Sequence, residues 1–209
     1  MPRLEFFFDC SSPWTYLAFE SVQPVAQRHG TSVEWRPILV GGVFNSVNPA
    51  VYEARRNPVP ARAAWAEKDL QDWARYHGIE IGQPPVFPVN SVRVMRGAFL
   101  ALEQDRLVDY AREAFRTYWR DLEDIGQPPV LRTIAQRSGL DPDELEAYVE
   151  RDEVKARLRA NTEELVARGG FGSPTMFLDE DDMYFGNDRM PLVDAALARD
   201  REHGEGRQS

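Results

Sequence analysis

FFFDCSSPWTYLA, residues 6 to 18, joins an apolar run to a helix start, and its centre, Ser12-Pro13-Trp14-Thr15, has the spacing of a disulfide oxidoreductase motif with oxygen in place of sulfur. Residues 3 to 8 read as a buried strand rich in β-favouring aromatics. Serine as N-cap and proline at the first helical position then open a helix, so the stretch is a β-turn-α unit. A disulfide exchanger needs an attacking thiolate at the helix N-terminus and a second thiol to resolve the mixed disulfide. Ser12 and Thr15 exclude that chemistry. What survives is the physics of the place, free N–H groups and the positive end of a helix dipole, which favour an anion whether or not it belongs to the protein.

Outward from this stretch, Trp14, Leu17, Ala18, Val22, Val25 and Ala26 recur at helical spacing, with Pro24 as an expected kink and His29-Gly30 as the helix end. Thr31 to Ile38 follows as a second strand, and a βαβ connection makes the two strands parallel. The segment from Val40 to Pro60 (GGVFNSVNPAVYEARRNPVP in its bulk) reads as a long irregular connection that lines a site. Helical signals come next, over Ala61 to His77 with Ala66, Leu70, Trp73 and Ala74 as its stripe, Val92 to Gln104, Leu107 to Leu122, a helix opened by Asp141-Pro142, and Val154 to Arg168. Strands return at Ser173 to Leu178 and Met183 to Phe185 as a hairpin around Asp179-Glu180-Asp181-Asp182, before a last helix from Pro191 to Arg199. The pattern is α/β: a thioredoxin-like domain of residues 1–39 and 170–200, split by an all-helical insertion of residues 40–169, with a frayed tail at 201–209. The pentapeptide GQPPV occurs at Gly82 and again at Gly126, but its flanks differ and it marks no repeat.

A chain of 209 residues, 43% hydrophobic, buries a sizeable core, and a net charge of −9 disfavours a nucleic-acid partner. The apolar run at Phe6 stops at Asp9, too short for a signal sequence or a membrane span. The chain ends Arg-Gln-Ser, which is no peroxisomal tripeptide, and a single cysteine, Cys10, forms no intramolecular disulfide. A cytoplasmic location is the expectation. Arginines 55, 56 and 62 form a local cluster suited to a small anionic ligand. The three histidines fall at two helix ends and in the tail, so no zinc site or triad is expected, and Asp179 to Asp182 reads as a solvated turn rather than a calcium loop.

The segments FFFDCSSPWTYLA (6 to 18), WRPILVGGVFN (35 to 45), NPVPARAAWAEKDLQDWARYHG (57 to 78), FPVN (87 to 90), GLDP (139 to 142) and GGFGSPTMFLDEDDMYFGNDR (169 to 189) together resemble the 2-hydroxychromene-2-carboxylate isomerases. These are relatives of kappa-class glutathione transferases with a DsbA-like thioredoxin fold. The resemblance implies a glutathione-dependent cis-trans isomerase of a small aromatic oxo-acid in aromatic catabolism, and a homodimer. By analogy the thiolate adds reversibly to a conjugated carbon, the bond rotates, and elimination returns the thiol. Two alternatives stay open: a kappa-type transferase or peroxidase, and a redox-inactive thioredoxin-like binding module.

The resemblance also implies roles. Ser12 is the catalytic residue, donating to the glutathione sulfur, and its role as helix cap coexists with that. Ser173-Pro174 is the cis-proline element that docks the cysteinyl backbone, although Pro174 also reads as the start of an edge strand. Asn187 and Asp188 hold the γ-glutamyl end, or else form a polar turn. Asn57 contacts the glycyl end or substrate. Arg62, where lysine is common in the family, and Asn90 bind substrate, although both asparagines also suit ordinary turns. Cys10 reads as a small buried hydrophobe rather than a redox sensor, and Trp65, Trp73, Phe115 and Trp119 as core, although some of them also suit the wall of an aromatic substrate pocket.

Overall fold

The computed structural model describes residues 3–205. Strand β1, Leu4–Phe8, lies inside a four-stranded sheet of order β2-β1-β3-β4. It runs parallel to β2, Val33–Pro37, and antiparallel to β3, Thr175–Leu178, which pairs antiparallel with β4, Asp182–Phe185. Strand β2 is shorter than the apolar signal suggests, because β1 offers it only the five partners from Leu4↔Val33 to Phe8↔Pro37.

Helix α1 runs from Pro13 to Arg28 with Ser12 as its cap, and Pro24 is carried inside it as it continues to Arg28. Between β2 and β3 come α2 (Val40–Val47), α3 (Ala50–Arg56), α4 (Pro60–His77), α5 (Val92–Glu103), α6 (Leu107–Trp119), α7 (Pro128–Arg137), α8 (Pro142–Val149) and α9 (Asp152–Ala167). A 3-10 turn at Asn187–Arg189 leads into α10, Met190–Glu205.

The alternation of β1 divides the core. Leu4, Phe6 and Phe8 join Met176, Leu178, α1 and the buried faces of α5 to α9 in one continuous cluster, while Phe7, Phe177, Ile38, Val43 and Leu165 form a smaller one. Glu5, fully buried within β1, is ion-paired to Arg168 at 2.7 Å and Arg3 at 3.0 Å. Phe115 and Trp119 are core as expected, but Trp65 is 62% exposed and only Ala74 of the expected α4 stripe is fully buried.

Several expectations are corrected. The connection from Val40 to Pro60 is not irregular but folds into α2 and α3. Local propensity hides this, since VGGVFNSV carries two glycines that disfavour a helix. Tertiary contacts supply the compensation: Asp9 accepts from the first N–H of α2, and Gly42 lets that helix approach α9, where a Cβ would stand 3.2 Å from Thr162. Helix α7, which opens on Pro128, is an element with no counterpart in the sequence reading, whereas the first GQPPV copy, at 82 to 86, lies in the irregular segment before α5. Helix α6 stops at Trp119 rather than Leu122, whose φ of 62° is left-handed. In the expected tail, residues 201–205 are helical within α10, and 206–209 lie outside the described residues. Among the described residues no helix is long and apolar enough to cross a membrane.

Candidate active site

The end of β1 and the start of α1 meet the loop before β3 through three hydroxyls. Ser12 Oγ accepts from Thr15 N–H at 3.3 Å and donates to the Ser173 carbonyl at 3.2 Å. Thr15 Oγ1 lies 2.8 Å from Ser173 Oγ, which also accepts from Asp9 N–H at 3.1 Å. The two positions that hold sulfur in an exchanger are therefore unequal. Thr15 is fully buried and committed to Ser173, whereas Ser12 is half-buried and borders a cavity. The Ser173–Pro174 bond is cis, as the resemblance implies, and so is Phe87–Pro88, which nothing in the sequence reading anticipates.

That cavity, of about 680 Å³, lies between Ser12, the loop at Ser173, α2, α3 and the segment from Phe87 to Val92. Its size is typical of small-molecule sites. Trp14, Phe44, Tyr52, Phe87, Phe171 and Phe185 give it an aromatic lining. A second cavity of about 510 Å³ shares Trp14, Ser173 and Phe185 with the first and extends past Pro174 to Trp65, Asn187 and Asp188. Asn187 is only 4% exposed, and among the described residues its Nδ2 has no hydrogen-bond partner. Buried amide donors are normally satisfied, and this one is itself shielded from solvent, so a ligand acceptor reaches it only once the side chain turns toward the cavity.

Asp9 is buried at the first cavity's base. Its Oδ1 accepts from Ser11 N–H at 2.9 Å, and its Oδ2 from Val40 N–H at 2.9 Å and from the Ser91 hydroxyl at 3.1 Å. One carboxylate thus ties together the α1 approach, the α2 N-terminus and the α5 approach. Burial raises its pKa and these donors oppose the rise. Burial, followed by the charge of Asp9, pushes the Cys10 thiol well above the ordinary range, so this side chain stays protonated.

Of the residues singled out from sequence, Ser12, Ser173 and Asn90 line the first cavity, and Ser173, Pro174, Asn187 and Asp188 the second. The Asn90 side chain accepts from Val92 N–H, and Asp188 pairs with Arg189 at 2.5 Å. Asn57 and Arg62 are not in the lining of either cavity. Asn57 ends α3 and donates to Glu53, and Arg62 is exposed on α4. The sequence reading missed Asp9, whose signal is a lone charge inside an apolar motif. It named Arg55 only as one of three clustered arginines, yet Arg55 alone of the three lines the first cavity, its guanidinium over the rings of Phe87 at 5.2 Å and Phe44 at 5.5 Å.

A family model described as a DSBA-like thioredoxin domain matches residues 3–198. A 2-hydroxychromene-2-carboxylate isomerase of Pseudomonas putida is 28% identical over 203 residues, covering 94% of each chain. Glutathione s-transferase kappa 2 of Caenorhabditis elegans is 27% identical over 208 residues, covering 93% of this chain and 91% of its own. Among solved structures, a 2-hydroxychromene-2-carboxylate isomerase superposes with a TM-score of 0.82 at 24% identity, covering 99% of both chains.

Proposed function

We propose, from the premise that this chain belongs to the DSBA-like thioredoxin domain family, that it is a glutathione-dependent cis-trans isomerase of a small aromatic oxo-acid in aromatic catabolism, acting as a cytoplasmic homodimer. The observation that carries this reading is the pair of adjoining cavities, one bordered by Ser12 and the other lined by Ser173, Pro174, Asn187 and Asp188. A γ-glutamyl carboxylate fits the unpartnered Nδ2 of Asn187 once that side chain turns to the cavity, and the Asp188 carboxylate fits its ammonium group. Ser173 and Pro174, between the two cavities, are suited to the cysteinyl segment of such a ligand. When bound, glutathione would supply a thiolate able to add reversibly to a conjugated double bond.

Ser12 can turn its hydroxyl from the Ser173 carbonyl toward a ligand sulfur, exchanging a 3.2 Å bond for a charge-assisted one. The N-terminus of α1 adds its dipole. A thiol of ordinary pKa about 8.5 is mostly protonated at neutral pH, and each unit of lowering corresponds to about 1.4 kcal/mol, within reach of a donor and a helix end together. The aromatic lining suits a flat conjugated ligand.

Calorimetry with glutathione on the parent and on Asn187→Ala tests the cofactor, with the variant expected to bind about tenfold more weakly. Isomerisation of 2-hydroxychromene-2-carboxylate should stop when glutathione is removed by gel filtration and return when it is added. Turnover without any thiol would overturn the reading. The kappa-class relative favours a second reading, a transferase or peroxidase that consumes glutathione. Product analysis with one equivalent of substrate separates the two, and a redox-inactive binding module would turn over neither.

A further inference from the structure

Arg55 and Arg56 are neighbours on α3 with different fates. Arg56 pairs with Glu53 at 3.1 Å, whereas no carboxylate partners Arg55 among the described residues. Arg55 instead lies over the rings of Phe44 and Phe87, and among the described residues it is the single cationic side chain in the lining of the cavity that Ser12 borders. Rings at this distance attract the positive charge without taking up the N–H donors, so with no carboxylate on it the guanidinium keeps the edge that matches a carboxylate in a two-pronged pair. The acid in the same lining, Asp9, is already met by three donors and does not compete for that edge. A cation held by aromatic rings within an aromatic cavity fits a planar ligand that carries its negative charge at one end.

We propose that Arg55 is the specificity-determining residue of this cavity, taking the carboxylate of an aromatic acid while the surrounding rings take its flat body. The assignment rests on the isomerase reading above and adds the residue that selects the substrate. A carboxylate at Arg55 has two possible sources, the aromatic acid or the glycyl end of glutathione. The rings on which Arg55 rests favour the aromatic acid.

Binding of chromone-2-carboxylate, of chromone-2-carboxamide and of glutathione, each followed by tryptophan fluorescence or calorimetry, tests the assignment without turnover. Arg55→Ala should weaken the carboxylate by about 10- to 100-fold and leave the carboxamide and glutathione within about twofold. Arg55→Lys, which keeps the charge without the planar fork, should fall between the parent and Arg55→Ala. Arg56→Ala should match the parent. The proposal is overturned if the parent binds carboxylate no more tightly than carboxamide, or if Arg55→Ala weakens glutathione rather than the aromatic acid. Failure of the isomerase reading looks different: Arg55-dependent carboxylate binding with no cis-trans turnover of 2-hydroxychromene-2-carboxylate.

Discussion

The part of the cavity wall made by the end of β1, the α1 cap and the loop at Ser173 is held by buried hydroxyls and backbone groups, whereas the part made by α3, Phe44 and Phe87 is lined by half-exposed rings. Asp9, Thr15 and Ser173 are all buried in the first, while Phe87 is 49% exposed and Arg55 is exposed in the second. Asp9 has partners on four chain stretches, at Ser11, Val40, Ser91 and Ser173, and Ser173 in turn meets both Asp9 and Thr15, so the geometry is overdetermined. Phe44 and Phe87 in the second part can shift without stranding a polar atom, and only Tyr52, donating to Asn45 at 2.9 Å, ties its ring to a polar partner. This division separates the tasks: holding a reacting anion needs fixed donors, and choosing a substrate needs a surface that sequence change can reshape.

The largest expected effect breaks the buried side. Ser12→Ala should lower kcat by about 10-fold to 1,000-fold at saturating glutathione, the scale for losing a donor to a reacting anion. Titrating thiolate absorbance of the bound cofactor should give a pKa below the free value in the parent and one raised partway in the variant, since the helix dipole remains. A variant that titrates and turns over like the parent would reduce Ser12 to a helix cap.

Asp9→Asn tests how far that side depends on one carboxylate. An amide presents a single acceptor oxygen, so its NH₂ must face Ser11 N–H or Val40 N–H, and the loss should be about 1–3 kcal/mol by denaturant unfolding. The pH dependence has a definite sign. Because burial raises the folded pKa of Asp9, the favourable state is the protonated one; its contribution is complete below the ordinary carboxylate value and declines as pH rises through the raised one. The stability advantage of the parent over Asp9→Asn should therefore shrink as pH rises above the ordinary carboxylate value of about 4. An advantage that grows with pH would mean that the three donors outweigh burial.

The smallest effects lie away from both parts. Arg62→Ala should change KM for an aromatic acid by less than about twofold, because Arg62 is outside the cavity lining, and a larger rise would bring α4 into the site. Cys10→Ser should leave activity within about a few-fold and glutathione affinity unchanged, since the thiol is buried and held protonated. Loss of most activity would move the nucleophile from ligand to protein.

The strand, cap and proline of FFFDCSSPWTYLA, the hairpin around Asp179 and the helix ends at His29 and Gly78 were all legible in the sequence, because caps, alternation and left-handed glycines act over a few residues. The exclusion of dithiol chemistry was legible for the same reason, being a matter of which atoms stand at positions 12 and 15. The rest depended on contacts between distant segments. Helix α2 forms against its own glycines because Asp9, 31 residues earlier, caps it and α9 packs on it. Arg55 could not be told from Arg56 or Arg62 by sequence, since all three are arginines in one polar stretch. Only the placement of Phe44 and Phe87 beside α3 directs one guanidinium into the cavity, while Glu53 takes its neighbour. Tertiary structure decided these matters because a side chain's role here is set by which charges and rings surround it, and those come from parts of the chain that no local pattern connects.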